Sequence, residues 1–294
     1  MSRLKKSKKH CEITERDYKI LRFLWKWKMV STQALAKRFF PEVQAYSAYR
    51  RLLHLEADNY IESFVVNGRF HEAWGLKEKG FKYIKPYLGE LKSTGFKSAN
   101  PHHDYLASAF HLGEWLLHQP KNSQTFSEQQ LKSYPEDLWP FWVPKSTLHR
   151  PDGYSIYQVD NTRTIIAFET ELSLKASHRY ESIFTFYAHQ SAIDYVFWLI
   201  DSQSTLSALK KHFKKFQLSE WSKHQFLILA EFQKKGWRAS FMEGKLEGKT
   251  PADLLLHKSA TILSQQCLAC GTQALLDSRR RPMISKPYKA SPQG

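Results

Sequence analysis

The stretch from His149 to Lys175 (HRPDGYSIYQVDNTRTIIAFETELSLK) constrains the chain more than any other. It reads as two β-strands joined by a polar turn. Residues 154–159 alternate around an apolar side, Asp160 and Asn161 supply the turn, and residues 164–168 form a short buried run. Asp152 opens the first strand, and Glu169 and Glu171 close the second. Side chains two apart on a strand share a face, so the two glutamates point the same way. If the strands pair, Asp152 joins them on one side of a sheet. Three carboxylates so placed repel one another unless a divalent cation or basic groups compensate. Mg²⁺ or Mn²⁺ is the cofactor such an oxygen cluster suits, with Asp152, Glu169 and Glu171 as ligands. Pairing of the glutamates with Lys175, Arg179 or Arg150 is the alternative.

A chain of 294 residues can build two compact domains. Its formal charge of +16 points to a polyanionic partner, nucleic acid before membrane. The charge is uneven: residues 1–100 carry 21 Lys and Arg against 10 Asp and Glu, so the backbone-contacting surface is expected there. No apolar run is long enough to span a bilayer, and the N-terminus (MSRLKKSKKH) lacks a signal-peptide core, so no membrane partner and a cytoplasmic location are expected. Three cysteines make no disulfide framework. Cys267 and Cys270 form a lone CxxC within a helical pattern over residues 260–276, read as packed or surface thiols because further zinc ligands at suitable spacing are missing, with a metal or redox role as the alternative. There is no GxxxxGK[ST] nucleotide loop and no convincing Ser-His-Asp arrangement.

Five segments follow in order: a basic arm at 1–13, a DNA-binding module at 14–86, a Gly/Ser/Asn/Pro linker at 87–101, an α/β domain at 102–276, and a basic tail at 277–294. In the module, Thr14 starts a capping pattern with Glu15 and Asp17 in the first turn, and Ile20, Leu21, Leu24 and Trp27 follow at helical spacing. A second short helix, capped by Ser31 or Thr32, stops at Pro41. A third spans about 43–57 and buries Ala48, Leu52 and Leu55 or close neighbours. Strands at 60–66 and 69–76 flank Asn67-Gly68, a strong hairpin signal, and a helix begins at 77. Three helices and a ribbon make a winged helix-turn-helix.

The segments ITERDYKILRFLWKWKMVSTQALAKRFF, YRRLLHLEADNYIE and WGLKEKGFKYI resemble the winged-helix modules of bacterial DNA-binding proteins. In such modules the third helix enters the major groove and the wing touches flanking backbone. The candidate contacts to double-stranded DNA are Gln44, Tyr46, Ser47, Tyr49, Arg50 and Arg51 on the helix, with Asn67, Arg69 and His71 on the wing. Arg50 and Arg51 lie about 100° apart on a helix, so one is expected to reach DNA while the other pairs locally.

Beyond the linker the pattern reads as a helix at 102–118, a strand near 125–128, the opening hairpin, a helix at 173–190, a strand at 193–200, a helix at 205–216, and strands at 225–231 and 237–242. The order is mixed α/β. With PD at one strand and ExE at the next, it resembles the PD-(D/E)xK nuclease fold. More narrowly, the winged helix joined to HHDYLASAFHL, FSEQQL, RPDGY and FETELSLKASHRYESIFTFY is similar to the replication-relaxation family of plasmid and mobile-element proteins, over roughly residues 14–201.

The nuclease resemblance implies catalytic roles for Asp152 as the aspartate and Glu169 as the acidic residue, both on metal. It would place a lysine at 171, where this chain has Glu171; taking Glu171 as the acidic residue puts Ser173 at the lysine position. Lys175 could substitute only by reaching back, and His103, His149 and His178 are further candidates. The function expected is that of a DNA-binding protein in plasmid or mobile-element replication, mobilisation or their regulation, its partners including other replication, mobilisation or transposition proteins. A metal-dependent endonuclease and a non-catalytic transcriptional regulator or assembly adaptor are the alternatives. The oligomeric state is left open, a homodimer included.

Overall fold

The computed structural model describes residues 12–66, 69–113, 123–145, 148–159, 162–216 and 220–255, except the side chains of residues 69–72, 159 and 162. The basic arm up to residue 11, the Asn67-Gly68 and Asp160-Asn161 turns, the Cys267/Cys270 pair and the basic tail lie outside the described residues.

The first element of the described residues is α1 (Glu15–Trp27), and its start is local chemistry. Thr14 accepts a hydrogen bond from the Asp17 amide, while the Asp17 carboxylate accepts from the Thr14 amide at 2.8 Å, closing a capping box. Ile20, Leu21, Leu24, Trp25 and Trp27 recur at helical spacing and are buried. Ser31 caps α2 (Thr32–Phe39), which ends before Pro41. Then α3 (Ala45–Ala57) buries Ala48, Leu52 and Leu55 against α1 and α2. The antiparallel pair β2 (Ile61–Val66) and β3 (Arg69–Leu76) runs from Ile61 opposite Leu76 to Phe64 opposite Ala73, then shifts register to bring Val66 opposite Arg69. A two-residue strand, β1 (Val30–Ser31), adds to the other edge of β3. Two residues are too few to show a period, which is why the sequence pattern does not reveal it. Then α4 (Glu78–Ile84) closes onto the helical core through Phe81 and Ile84.

Residues 87–101 differ from a free linker. Leu88 and Phe96 are buried in the same core, Phe96 stacks on Phe81 at 4.6 Å, and the Lys92 amide donates to the Ser133 carbonyl. Isolated aromatic anchors carry no period, so composition alone misreads the segment.

The remainder is built on a second sheet. After α5 (Pro101–Leu112) come β4 (Ser123–Ser127), the short α6 (Glu128–Ser133), β5 (Gly153–Val159), β6 (Thr162–Glu171), α7 (Ser177–His189), β7 (Tyr195–Ile200), α8 (Gln203–Lys215), β8 (His224–Ile228), α9 (Leu229–Lys235) and α10 (Pro251–Leu255). Among the described residues the strand order is β4-β5-β6-β7-β8, antiparallel from β4 to β6 and parallel from β6 to β8. Parallel neighbours need crossovers, which α7 and α8 supply. One face carries Tyr154, Ile156, Ile165, Ala167, Val196 and Trp198 into a core with Tyr180, Phe184, Leu206 and Phe213 of α7 and α8. The other face, with Ile166, Phe168, Phe197, Leu199 and Leu227, receives Leu106 and Phe110 of α5 together with Trp237 and Phe241. Each such side chain taken from water contributes about 1.5–3 kcal/mol. The protein is thus mixed α and β, and no helix among the described residues is long and apolar enough to cross a membrane.

Three sequence expectations change here, the first being the strand expected at 225–231, which ends at Ile228 where α9 begins. The last expected strand, residues 237–242, is a 3-10 turn at Gly236–Arg238 followed by irregular chain, which meets β8 at an isolated Phe226–Glu243 bridge rather than along a ladder. Trp237 and Phe241 alternate like strand residues but are anchors under α5, with the Trp237 indole N–H donating to the Phe110 carbonyl. The helix expected from 173 starts at Ser177, which leaves Lys175 in the preceding loop.

Candidate metal centre and nucleic-acid interface

The β5–β6 pairing places Asp152 beside Glu169. Gly153 faces Phe168 in the ladder, the Asp152 amide donates to the Phe168 carbonyl at 3.0 Å, and the Thr170 amide donates to Asp152 Oδ2 at 2.7 Å. Glycine follows Asp152 for a steric reason: a Cβ on Gly153 would lie 2.5 Å from His111 Cε1 and 2.9 Å from the Phe126 carbonyl oxygen.

Glu169 is buried, and its Oε1 accepts from the Tyr187 hydroxyl and contacts His149 Nε2 at 2.5 Å. Glu171 is also buried, and Lys175 Nζ reaches back from its loop onto Oε2. Asp152 and Glu169 line one cleft of about 670 Å³, together with Thr170, Lys175 and a cationic rim of Lys92, Lys132, Arg150 and Arg179. Glu171 lies behind that lining, engaged by Lys175. The three carboxylates of the sequence reading therefore divide into a cleft pair and one salt-bridged partner.

The charges are interdependent. Burial pushes the Asp152 carboxyl up to about 7; the nearby His103 works against that, and the charges of Glu169 and Glu128 add to it. Burial disfavours a charged His103, but its hydrogen bond to Asp104 and the charges of Asp152 and Asp104 prevail and raise it to about 9. His103 Nε2 sits 3.1 Å from the Thr170 carbonyl oxygen and 3.7 Å from Asp152 Oδ2. Burial also raises the Glu171 carboxyl; Lys175 opposes this and Glu169 reinforces it.

The oxygen set fits a hard divalent ion. Asp152 Oδ2 and Glu169 Oε1 are taken by protein donors, and among the described residues no hydrogen bond to the second oxygen of either carboxylate is seen. Among the described residues no group of three or more His, Cys, Asp or Glu side chains converges on one metal position. Two carboxylates suit Mg²⁺, which retains several waters, better than a closed protein cage would.

On α3, the sequence candidates separate by packing. Gln44, Tyr46, Ser47 and Arg50 are exposed, Tyr46 to 66%. Residues three and four apart are neighbours on a helix, so Ser47 and Tyr46 flank Arg50 on one face. Tyr49 is half-buried with its ring edge toward Trp74, and Arg51 is engaged by Asp17. Arg69 and His71 lie on β3, with side chains outside the described residues.

Sequence reasoning missed Lys28, Asp104, Glu128 and Tyr187. Asp104 and Glu128 were visible only as first-turn acids of short helices, and nothing local marks Lys28 or Tyr187.

These features define a mixed α and β protein with an acidic centre in a basic-rimmed cleft. No protein-family model, curated protein or solved structure matches the chain.

Proposed function

We propose that the chain is a duplex-DNA-binding protein whose N-terminal part acts as a winged helix and whose second part is a nuclease-like domain holding Mg²⁺ or Mn²⁺. The observation that carries the reading is the outer face of α3, where Gln44, Tyr46, Ser47 and Arg50 stay exposed while Ala48, Leu52 and Leu55 fill the core. A helix so mounted presents its N-terminal half to a major groove, and the β2–β3 hairpin stands beside it to meet flanking phosphates. The net charge of +16 supports a phosphate-rich partner. The strand order, with antiparallel β4–β6 continued by parallel β7 and β8, is compatible with the nuclease resemblance. Replication or mobilisation of a plasmid or mobile element is the role proposed for such a protein, in the cytoplasm and with other replication, mobilisation or transposition proteins as partners.

Asp152 and Glu169 would hold the ion through their remaining oxygens, and when bound it supplies positive charge to a phosphodiester in the cleft. Around it, Tyr187 and His149 orient Glu169, the Thr170 amide orients Asp152, and Arg150 and Arg179 on the rim draw in the backbone.

Measuring affinity for a set of duplexes between about 50 and 200 mM salt tests the binding reading. It predicts a fall of about tenfold or more, as for a protein neutralising several phosphates, whereas salt-independent or absent binding rejects it.

Phosphodiester hydrolysis is a second reading, favoured by Lys175. The residue lines the cleft although its amine is bonded to Glu171, and the nuclease resemblance calls for a cation near there that residue 171 does not provide. Incubating supercoiled plasmid with Mn²⁺ tests it: nicking by the wild type that Asp152→Ala abolishes supports hydrolysis, and nicking that survives the substitution excludes this centre as its source.

A further inference from the structure

The carboxylate centre is not enclosed by the second part of the chain alone. Lys28, immediately after α1, extends its Nζ to 2.8 Å from Glu128 Oε2 and 3.6 Å from Asp104 Oδ2, and its side chain is only 10% exposed. Both acceptors lead to Asp152. Asp104 Oδ1 lies 3.5 Å from His103 Nδ1, and the other nitrogen of that ring faces Asp152 Oδ2 at 3.7 Å. The Glu128 amide donates directly to the Asp152 carbonyl at 2.8 Å. One cation of the N-terminal part thus stands behind the metal centre along two short routes.

The backbone supports a placed residue. Lys28 has φ 58° and ψ −49°, and the Met29 amide donates to the Trp27 carbonyl across it. This is a γ-turn of the rare, strained hand, which a non-glycine residue holds only when its surroundings fix it. The surroundings are specific: Lys26 Nζ bonds the Thr125 carbonyl at 2.7 Å, the Ser127 hydroxyl donates to the Lys26 carbonyl, and the Ser108 hydroxyl donates to the Met29 carbonyl at 2.7 Å.

We propose that Lys28 is a positioning residue of the Asp152 centre: the N-terminal part supplies the cation that balances Asp104 and Glu128 and thereby sets the divalent-ion affinity of the cleft. The inference rests on the metal reading given above. It makes the two parts one functional unit, since ion occupancy in the cleft and the seating of the N-terminal part are then linked.

The test is Mn²⁺ binding to the full chain without DNA, read from the paramagnetic resonance signal of free Mn²⁺. Removing one positive charge behind the centre leaves it more negative, so Lys28→Met is expected to tighten Mn²⁺ binding about fivefold. Asp104→Asn, nearly isosteric, removes a negative charge and is expected to weaken binding by a similar factor, and it decides the matter should Lys28→Met fail to fold. Lys28→Arg is expected to stay within about twofold of wild type. Ser108→Ala, which loses an uncharged bond at the same junction, is expected to bind as wild type does. A merely structural junction would weaken binding in Lys28→Met and Ser108→Ala alike, which overturns the proposal, as does unchanged binding in Lys28→Met. Absence of Mn²⁺ binding in the wild type overturns the metal reading and this inference together; wild-type binding matched by Lys28→Met and Asp104→Asn overturns the inference alone.

Discussion

Arg51 closes on Asp17 across the α1–α3 contact, its Nε donating to Oδ1 at 2.9 Å and its Nη2 to Oδ2, with a further bond from Nη2 to the Glu12 carbonyl. Asp17 is fully buried and also forms the α1 capping box, so its carboxylate is held in the charged form. Burial opposes the charge, but the hydrogen bonds from Arg51 and Thr14 outweigh it and lower the carboxyl's pKa. The adjacent Arg50 is exposed. The two neighbouring arginines therefore serve different ends, one holding the helices together and the other left at the surface.

Arg51→Ala is accordingly expected to destabilise the fold by about 2–4 kcal/mol, because it strands a buried carboxylate; the partial exposure of the guanidinium keeps the cost below that of a fully buried pair. Urea unfolding measures it. Arg50→Ala should unfold within about 0.5 kcal/mol of wild type.

Lys175→Met should show a pH-dependent cost. The Glu171 carboxyl already sits above its usual range, chiefly through burial, and losing Lys175 raises it further. A carboxyl with its folded value raised binds its proton more readily when folded, so its penalty is small at low pH and grows as pH rises. The variant should lose about 1–3 kcal/mol more relative to wild type at pH 8 than at pH 5 in urea unfolding. An equal loss at both pH values would mean that Lys175 contributes packing only.

His111 and His224 predict the acid limb. Burial pushes both down to about 3. His224 Nδ1 accepts the Trp198 indole N–H at 2.9 Å, as a neutral ring must. The folded state then binds fewer protons than the unfolded chain between about pH 3 and 6.5, so their stabilisation is present above 6.5 and is lost as pH falls. Asp152, raised to about 7, acts in the opposite sense between about pH 4 and 7. The raised Glu171 carboxyl opposes the histidines as well, so each histidine's contribution of about 1.4 kcal/mol per pH unit below pH 6 is partly offset. His224→Asn, which keeps an acceptor for Trp198 but cannot titrate, should flatten that slope between pH 6 and 4.5.

Local chemistry was legible and long-range chemistry was not. The capping box at Thr14, the buried stripe of α1, the Ala48–Leu52–Leu55 face of α3 and the pairing of Asp152 with Glu169 follow from spacing, because each involves neighbours in sequence or across one hairpin. The pairing of Lys175 with Glu171 was legible as one of several possible ion pairs of the two glutamates, but which partner is taken was not, since a loop's path has no period. Lys28 and Glu128 are 100 residues apart, and no local pattern relates them. Trp237 and Phe241 misled because buried anchors on an irregular segment alternate as strand residues do.

The central claim is that the exposed face of α3 reads duplex DNA, and it is tested most directly by comparing wild type with Arg50→Ala on a selected duplex across a salt series. If Arg50 meets a base edge, the variant should bind about 5–100-fold more weakly and discriminate less at one position; if it meets a phosphate, the loss should be uniform and the salt slope should fall by about one. Salt-dependent binding by the wild type with either pattern supports the account. Wild-type binding that ignores salt, or an Arg50→Ala variant that binds identically at every salt concentration, contradicts it.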